Sequence, residues 1–354
     1  MKVDHAQLKD NLLGSFETLD YDGQLTRLTE AARAALPAYG LVDAQLQPVI
    51  YVNNATFRVE KSDGLCYALR IHRPGPKRTD WIQSELEWLR AIHQHTHLHT
   101  NVPVPTLDGS LLTQTTLEGV DKPLTCTLFE WIDGQTLQWE QIDLEQIRKA
   151  GVFLGQLHEF STGYNPPAHF VRPTLDWEGL FGENSPYNPG EGAAIFTADQ
   201  RAVFAQVDTR VGAVMDELGQ GSDHFGLIHA DFIAKNFLFR GDDLYAIDFD
   251  DCGWGYYLYD LAPLLTQTRG EPNFAAIYDA FWEGYTSVRH LPDSDRAYLE
   301  TFIAARHLAS CRWIAGNLHN PRIRERAPEI IAYRTAELRH FLETGAISHP
   351  GEQF

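Results

Sequence analysis

The sequence is poor in cysteine and contains no long hydrophobic segment. Its 354 residues include four widely spaced cysteines that form no Cys-x-x-Cys pair: Cys66, Cys126, Cys252 and Cys311. This pattern favours small core residues in a reducing compartment over a disulfide framework. No apolar run approaches the ~18 residues that a membrane helix needs, and the first residues lack the apolar core of a secretory signal. We therefore expect a cytoplasmic protein with no membrane partner.

Basic residues are also scarce. The chain has 29 Lys and Arg against 48 Asp and Glu, a formal net charge of −19. Most of the excess acid lies after residue 130, in a part of the chain with 32 acidic and 17 basic residues. A field of this sign repels nucleic acid and anionic membranes and favours a neutral or cationic small molecule. The acid could equally be spread over the surface for solubility, because the sequence does not show which carboxylates face a cleft.

The segment Leu227–Leu265 concentrates polar side chains between two apolar runs. Asp231 and Asn236 lie five residues apart in a loop, and Asp248 ends the second apolar run. This order suits phosphoryl transfer, in which one carboxylate accepts a hydroxyl proton while an amide and a second carboxylate hold Mg²⁺. Amide and carboxylate oxygens are the hard ligands that Mg²⁺ prefers. The alternative is an acidic hairpin whose aspartates cap turns.

The motif His-Ala-Asp-x4-Asn-Phe-Leu-Phe, followed by Ile-Asp-Phe-Asp-Asp and by Asp-Leu-Ala, resembles the aminoglycoside phosphotransferase-like kinases. These include choline kinases, type II homoserine kinases and bacterial stress-response kinases. The resemblance implies an α+β, bilobed protein-kinase-like fold. Residues 1–130 would form a small antiparallel-sheet N-terminal lobe, and residues 131–354 a larger, mainly helical C-terminal lobe. It also implies ATP and Mg²⁺ as cofactors.

The same resemblance assigns roles to residues of the motif. Asp231 would be the catalytic base, with Asn236 and Asp248 as catalytic metal ligands. His229 and Asp260 would support the backbone of the loop.

Two departures from the family pattern stand inside the motif. Ala230 occupies a position where many members have Gly, and Ile233 and Lys235 replace the usual His and Gly. The first change is small, whereas the second can alter contacts to phosphate or substrate.

The first lobe begins with a helix and continues with strands. Gln24–Leu36 has apolar residues at helical spacing, which predicts an amphipathic helix against the back of the lobe. From Pro48 to Ile71 the pattern becomes strand, loop, strand, hairpin, strand. In the resembling kinases the first loop closes over the ATP phosphates, which assigns Asn54 to nucleotide binding. The loop, residues 53–56, lacks the Gly-x-Gly-x-x-Gly of protein kinases and is a weak signal alone.

A cation and a glutamate are expected to act together on the nucleotide. Arg70 occupies the position where the family places the cation, usually a lysine, that grips the α- and β-phosphates. The alternative is an outward-facing cation on the surface. Glu85, on a helix predicted over residues 79–90, resembles the glutamate that orients this cation. Glu87 competes, but the two lie about 200° apart around a helix and motif position favours Glu85.

The strand Leu124–Gly134 runs into a turn at the junction of the predicted lobes. By resemblance, the backbone of Glu130, Trp131 and Ile132 meets the adenine edge. A buried edge strand ending in a turn would give the same pattern.

Four histidines recur at every second position: His93, His95, His97 and His99. On a strand they would share one face and could hold a transition metal. A solvated loop is the favoured interpretation, because no nearby carboxylate or cysteine completes a site.

The second lobe contains further candidates. His158, near the end of a helix predicted over residues 143–160, is interpreted as structural. Asp176, Trp177 and Glu178 either line the acceptor pocket or merely cover the lobe. Later helices are predicted over residues 274–285, 296–314 and 324–342. The side chains most able to reach an acceptor from this part are Trp282, Tyr285, Arg306, His307, Arg312 and Trp313.

The sequence therefore predicts an ATP-dependent kinase acting on a hydroxyl of a small molecule, with amino alcohols, homoserine, choline and aminoglycosides as candidate acceptors. A bacterial stress-response type of protein Ser/Thr kinase and a non-catalytic nucleotide-binding module are the alternatives. The acceptor itself is not identified at this level.

Overall fold

The computed structural model describes residues 16–347, apart from residues 17, 53, 74–77, 118 and 138–141. Within this part the chain forms two compact units. The first contains the described residues up to Ala91 together with Asn101–Asp133, and the second contains Ile92–Thr100 and the described residues from Gly134 onward.

The described residues form helices and strands, with most strands in the first half of the chain and the longest helices in the second. In chain order the helices are α1 Tyr21–Ala35, α2 Thr79–His95, α3 Leu144–Gly163, α4 Trp177–Phe181, α5 Ala198–Leu218, α6 Tyr257–Thr268, α7 Phe274–Thr286, α8 Asp293–Gly316 and α9 Pro321–Thr344. The strands are β1 Gln45–Tyr51, β2 Ala55–Glu60, β3 Cys66–Ile71, β4 His99–Thr100, β5 Pro103–Val104, β6 Thr113–Leu117, β7 Val120–Glu130, β8 Thr174–Leu175, β9 Phe225–Ile228, β10 Phe237–Arg240, β11 Asp243–Ala246 and β12 Gly253–Tyr256.

The first unit is an antiparallel sheet covered by α1. The strand order is β1-β2-β3-β7-β5, and β6 pairs with β7. Helix α1 buries Leu28 and Ala32 in one apolar cluster with Phe57, Leu69 and Leu128 of the sheet, as its amphipathic pattern predicts. Fully burying a leucine or phenylalanine side chain contributes about 1.5–3 kcal/mol. This cluster therefore anchors the strands that carry the polar residues of the unit.

The second unit is mainly helical, and glycines let two of its helices approach closely. A Cβ added at Gly151 of α3 would lie 2.2 Å from the carbonyl oxygen of Phe281 in α7. A Cβ at Gly284 of α7 would lie 2.2 Å from the carbonyl oxygen of Arg148 in α3. Because both obstacles are backbone atoms, neither side of this contact can accept a side chain.

Two small sheets of the second unit bring the central polar segment together. In one, β11 pairs antiparallel with β10 and parallel with β4; in the other, β12 pairs antiparallel with β9 and parallel with β8. The loop after β9 carries Asp231, and the segment after β11 carries Asp248. Because Ile228 at the end of β9 is paired with Gly253 at the start of β12, both polar segments leave the sheet at the same end.

The predicted order of an antiparallel sheet followed by a helical part is confirmed. The helices predicted in the first lobe, near residue 150 and after residue 274 are present, with ends shifted by a few residues. Helices α4, α5 and α6 are absent from the sequence-based assignment. In the part of the chain that the structure describes, no helix has the length and low polarity that a bilayer crossing requires.

The loop predicted around the four histidines is partly wrong. Helix α2 continues to His95, so His93 and His95 lie on a helix and cannot share a strand face with His99. All four histidines are exposed, and the ring of His99 stacks on Tyr245. Among the described residues, no group of three or more His, Cys, Asp or Glu side chains could hold a metal ion.

Candidate active site

The loop between β9 and β10 presents Asp231 on a backbone that Asp260 holds. One carboxylate oxygen of Asp260, in α6, accepts the N–H of His229 at 2.8 Å, and the other accepts the N–H of Ala230 at 2.6 Å. Ala230 adopts a left-handed backbone with φ of 69°. Hydrogen bonds to a charged acceptor are among the stronger ones in proteins, so Asp260 fixes the direction in which the chain enters Asp231. This is the supporting contact expected for Asp260.

Asp260 is held in turn by His158. The Nε2 atom of His158 lies 3.0 Å from Asp260 Oδ2, and its Nδ1 atom lies 2.9 Å from the hydroxyl of Tyr285. Complete burial lowers the pKa of His158 although Asp260 opposes the shift. A neutral imidazole has one donor and one acceptor nitrogen, so Nε2–H donates to Asp260 and Nδ1 accepts from Tyr285. These contacts agree with the structural interpretation of His158.

Both carboxylate oxygens of Asp231 have a partner. The side-chain nitrogen of Asn236 donates to Asp231 Oδ2 at 3.0 Å and to the carbonyl oxygen of Asp231 at 2.9 Å. On the other side, Arg306 Nη2 donates to Asp231 Oδ1. The Asp231 side chain keeps 17% of its surface exposed, so a ligand can still reach it.

The surroundings of Asp231 favour proton uptake. Burial raises the pKa of the Asp231 carboxyl above its ordinary value, and the negative charge of Asp251 acts in the same direction. The positive charge of Arg306 opposes the shift. A carboxylate with a raised pKa is a stronger proton acceptor, which is the property that a general base requires.

Asp248 follows Ile247, which contacts the loop between β9 and β10 twice. The N–H of Ile247 donates to the carbonyl oxygen of Asn236 at 2.8 Å, and the carbonyl oxygen of Ile247 lies 3.0 Å from His229 Nε2. Asp248 itself is exposed and has a left-handed backbone with φ of 64°. The hairpin formed by β10 and β11 therefore brings Asp248 to the same loop as Asp231 and Asn236.

A buried arginine that the sequence did not indicate holds the segment after Asp248. Arg172 Nε donates to the carbonyl oxygen of Cys252 at 2.6 Å, and its Nη2 donates to that of Asp250 at 2.8 Å. Trp254 N–H donates to the carbonyl oxygen of the neighbouring Pro173 at 2.9 Å. Hydrogen bonds from Arg172 and to Pro173 thus hold this segment in place.

The side chains of Asn236 and Asp248 suit a hard divalent cation. Because both acceptors of the Asn236 amide belong to Asp231, the contacting atom must be its NH₂ group, and its amide oxygen is left for another partner. The Asp248 carboxylate is exposed next to the same loop. An amide oxygen and a carboxylate are the ligand types that Mg²⁺ and Ca²⁺ take. Their role as metal ligands remains a prediction.

The first unit contains the predicted pair of Arg70 and Glu85. Arg70 lies in β3, in register with Thr56 and Thr127 on either side, and is 5% exposed. Its Nη2 lies 2.6 Å from Glu85 Oε1, and its guanidinium stacks on the ring of Phe129. The surface alternative for Arg70 is therefore wrong. The competing Glu87 accepts a hydrogen bond from Gln83 instead.

The other residues predicted to bind nucleotide lie at the edges of the first unit. Glu130 N–H donates to the carbonyl oxygen of Val102, and Trp131 N–H donates to that of Cys66. Among the described residues, the N–H of Ile132 has no backbone acceptor. The contact of the backbone of residues 130–132 with adenine stays a prediction.

Asn54 lies between β1 and β2, and its carbonyl oxygen accepts the N–H of Val52 at 3.4 Å. Asn53, which belongs to the same predicted phosphate loop, is outside the described residues. The nucleotide-binding role of this loop stays a prediction.

The residues predicted to contact the phosphoryl acceptor differ in the partners that they have in the structure. Asp176 accepts a hydrogen bond from Gly179 at the start of α4, and Trp177 Nε1 donates to Asp208 at 2.7 Å. These contacts favour the covering interpretation for both residues. Arg306 contacts Asp231, which makes it the candidate from the later helices that reaches the predicted base.

Three of the remaining candidates from the later helices contact other residues. The ring of Tyr285 contacts His158, and Arg312 donates to the carbonyl oxygens of Phe181 and Gly182. His307 is fully buried beside Glu337. These contacts are structural, and no pattern in the sequence distinguishes these residues from Arg306.

Comparison with known proteins gives consistent matches. The model of the phosphotransferase enzyme family matches residues 51–298. A homoserine kinase of Gluconobacter oxydans (strain 621H) is 30% identical over 265 residues, covering 71% of this chain and 75% of the relative. The solved structure of a microcompartment-associated aminopropanol kinase has a TM-score of 0.80 at 28% identity, covering 90% of this chain and 99% of the other.

A second solved structure, an amicoumacin kinase in complex with AMP-PNP, Ca²⁺ and Ami, has a TM-score of 0.75 and covers 98% of both chains. At 19% identity this likeness shows the fold. Its ligands show that a kinase of this fold binds an ATP analogue together with a divalent cation.

The region matched by the family model contains the pair of Arg70 and Glu85, the loop with Asp231 and Asn236, and Asp248 after β11. The fold and the sequence match agree with the resemblance carried by the motif. The chain belongs to the phosphotransferase enzyme family.

Proposed function

We propose that the protein is an ATP-dependent kinase that transfers the γ-phosphoryl group to a hydroxyl of a small amino alcohol. The observation that carries this proposal is the Asp231 carboxylate, which follows a backbone held by Asp260 and is hydrogen-bonded to Asn236. The likeness to an aminopropanol kinase supports the choice of acceptor class. The 30% identity to a homoserine kinase supports an acceptor that carries both a hydroxyl and an ammonium group.

In this proposal Asp231 acts on the acceptor. It accepts a hydrogen bond from the hydroxyl group and takes its proton as the hydroxyl oxygen forms a bond to the γ-phosphorus. The bond between that phosphorus and the β,γ-bridging oxygen breaks, which releases ADP. The raised pKa of Asp231 favours the proton transfer.

Asn236 and Asp248 would hold the metal ion of the nucleotide. Their oxygens fit Mg²⁺, which neutralises negative charge on the phosphates when bound. The hydrogen bond between Asn236 and Asp231 gives this residue a second effect, because it couples the orientation of the base to the metal site.

In the first unit, Arg70 would contact the α- and β-phosphates of ATP. The Glu85 carboxylate and the Phe129 ring hold its guanidinium in one place, so little rotamer freedom is lost on binding. Ile132 N–H would meet the adenine edge, and Asn54 would lie at the phosphate loop.

Charge near Asp231 supports a cationic acceptor. Asp251 lies close enough to act on the pKa of Asp231, and it carries the same sign of charge. An acceptor with an ammonium group would be stabilised by Asp251 at a distance from Arg306, whose positive charge is paired with Asp231. Amino alcohols meet this condition.

We also propose a cytoplasmic location. All four cysteines are free thiols, and three of them are buried. Free thiols of this kind suit a reducing compartment.

The test is ADP release from MgATP across a panel of ethanolamine, 1-amino-2-propanol, homoserine, choline and an acceptor-free control. The proposal expects turnover with at least one amino alcohol and its loss by about 10³-fold or more in Asp231→Asn, which removes the base. Asp242→Asn is the matched control, because Asp242 is an exposed aspartate that pairs with Lys149.

Three results would contradict the proposal. Turnover that survives Asp231→Asn would remove Asp231 from its role. Phosphate incorporation into the protein itself, located by mass spectrometry, would favour a protein kinase. Stabilisation by MgATP without phosphoryl transfer to any acceptor would indicate a nucleotide-binding module.

A further inference from the structure

Arg306 of α8 reaches the catalytic loop from far along the chain. It lies 75 residues beyond Asp231, and its Nη2 donates to Asp231 Oδ1. Its Nη1 lies 3.5 Å from the carbonyl oxygen of Ala230. The motif around Asp231 does not predict this contact, because α8 lies far along the chain, beyond the segment that carries Asp248.

The contact completes the set of partners of the Asp231 side chain. Asn236 binds Oδ2 and Arg306 binds Oδ1, so the two oxygens are held by donors on different elements. A carboxylate held at one oxygen can turn about its terminal side-chain bond, which is a broad torsion. Held at both, it keeps one orientation, and the remaining lone pairs point in a fixed direction.

The surroundings of Arg306 hold the guanidinium where it is. The phenol groups of Tyr187 and Tyr259 lie near it, and both are buried. Burial raises the pKa of each phenol, so both stay neutral. Only 16% of the Arg306 side chain is exposed. A guanidinium placed in this way loses little freedom when it binds a carboxylate.

We propose that Arg306 is a positioning residue that fixes the Asp231 carboxylate in the orientation that receives the acceptor hydroxyl. The inference rests on the proposed function, because it assigns Asp231 the role of base. It adds a residue outside the motif to the catalytic machinery. Arg306 acts through Asp231, so its removal changes the rate of phosphoryl transfer more than the binding of nucleotide.

The kinetic test uses Arg306→Ala, Arg306→Lys and the control Arg296→Ala. Arg296 lies on the same helix, and its ion pair with Asp279 is largely exposed. With MgATP and the amino alcohol that the wild type turns over fastest, kcat should fall about 10–100-fold in Arg306→Ala, while KM for MgATP changes little. Arg306→Lys should recover part of kcat, and Arg296→Ala should match the wild type.

Added methylguanidinium gives a readout that a purely structural role would not move. In Arg306→Ala the missing side chain leaves space next to Asp231, so millimolar methylguanidinium should restore part of kcat. The same salt should not raise kcat of the wild type or of Arg296→Ala. An unchanged kcat in Arg306→Ala, or a loss that neither lysine nor methylguanidinium relieves, would overturn the proposal.

Crystal structures of the wild type and of Arg306→Ala test the proposal without any acceptor. We expect the Asp231 carboxylate to turn or to occupy several orientations when Oδ1 loses its partner; an unchanged carboxylate would overturn the proposal. If the alanine variant does not fold, the lysine variant is compared in the same way. A wild type that phosphorylates no acceptor would count against the proposed function, while the structural comparison would still decide the role of Arg306.

Discussion

At the scale of single residues, Ala230 adopts a left-handed backbone conformation that is unfavourable for L-amino acids with a side chain. The left-handed region costs a residue with a Cβ roughly 1–2 kcal/mol, and Ala230 has φ of 69°. Glycine removes this cost but adds about 0.5–1 kcal/mol of unfolded-state entropy. We therefore predict that Ala230→Gly raises the free energy of unfolding by about 0.5 kcal/mol, measured by urea titration.

The matched control is the same substitution in a helix. Ala205 is exposed in α5, and Ala205→Gly should lower the free energy of unfolding by about 1 kcal/mol, the ordinary helix penalty. If the two substitutions gave the same loss, the left-handed conformation of Ala230 would carry no cost.

Residue contacts were predictable where the motif and the helical phase both constrained them. The pair of Arg70 and Glu85 followed from the position of each in its motif and from the angle that separates residues 85 and 87 on a helix. The contact of Arg306 with Asp231 did not, because the direction of α8 depends on packing against several other helices. Arg172 was missed for the same reason, since its acceptors are backbone carbonyls 78 and 80 residues away.

At the scale of elements, helices were predicted where apolar residues recurred clearly, and α5 was missed. Its buried residues Val203, Val207 and Val211 are spaced by four, yet its polar face is long and the segment before it is rich in Gly and Pro. A signal was present: Thr197 and Gln200 form a reciprocal capping box at its start. That pattern, read together with the spacing, indicates the helix.

The close contact of α3 and α7 depends on Gly151. A Cβ there would lie 2.2 Å from the carbonyl oxygen of Phe281 and 2.7 Å from the backbone nitrogen of Tyr285. Because backbone atoms cannot turn aside, α3 and α7 would have to separate. We predict that Gly151→Ala lowers the free energy of unfolding by about 2–3 kcal/mol, measured by chemical denaturation.

Gly163, near the end of the same helix, serves as the control. Nothing lies within 4 Å of a Cβ added there. Gly163→Ala should therefore leave the stability unchanged or raise it slightly through helix propensity. Equal losses in the two variants would show that the close contact with α7 does not determine the effect of Gly151→Ala. The contact also bears on function, because Tyr285 of α7 holds His158, which holds Asp260.

At the scale of the whole molecule, two buried histidines make stability depend on pH. Burial lowers the pKa of both His158 and His307; for His307 the positive charges of Arg269 and Arg334 add to this effect. The unfolded chain then binds more protons than the folded protein below the ordinary histidine pKa of about 6.5. The contribution of these two histidines to the free energy of unfolding is therefore fully present above that pH and is lost as the pH falls below it.

We predict that the free energy of unfolding stays level above about pH 6.5 and falls below it by up to about 1.4 kcal/mol per pH unit for each histidine. Urea titrations at a series of pH values measure the slope, and His307→Gln should reduce it, whereas His95→Gln, at an exposed position of α2, should not. Buried carboxylates such as Glu300, whose pKa is raised, act with the opposite sign at still lower pH. A slope that is the same in His307→Gln and the wild type would mean that His307 accepts a proton in the folded protein. Such a result would mean that the Glu337 carboxylate, 3.2 Å from His307 Nε2, outweighs burial and the positive charges of Arg269 and Arg334.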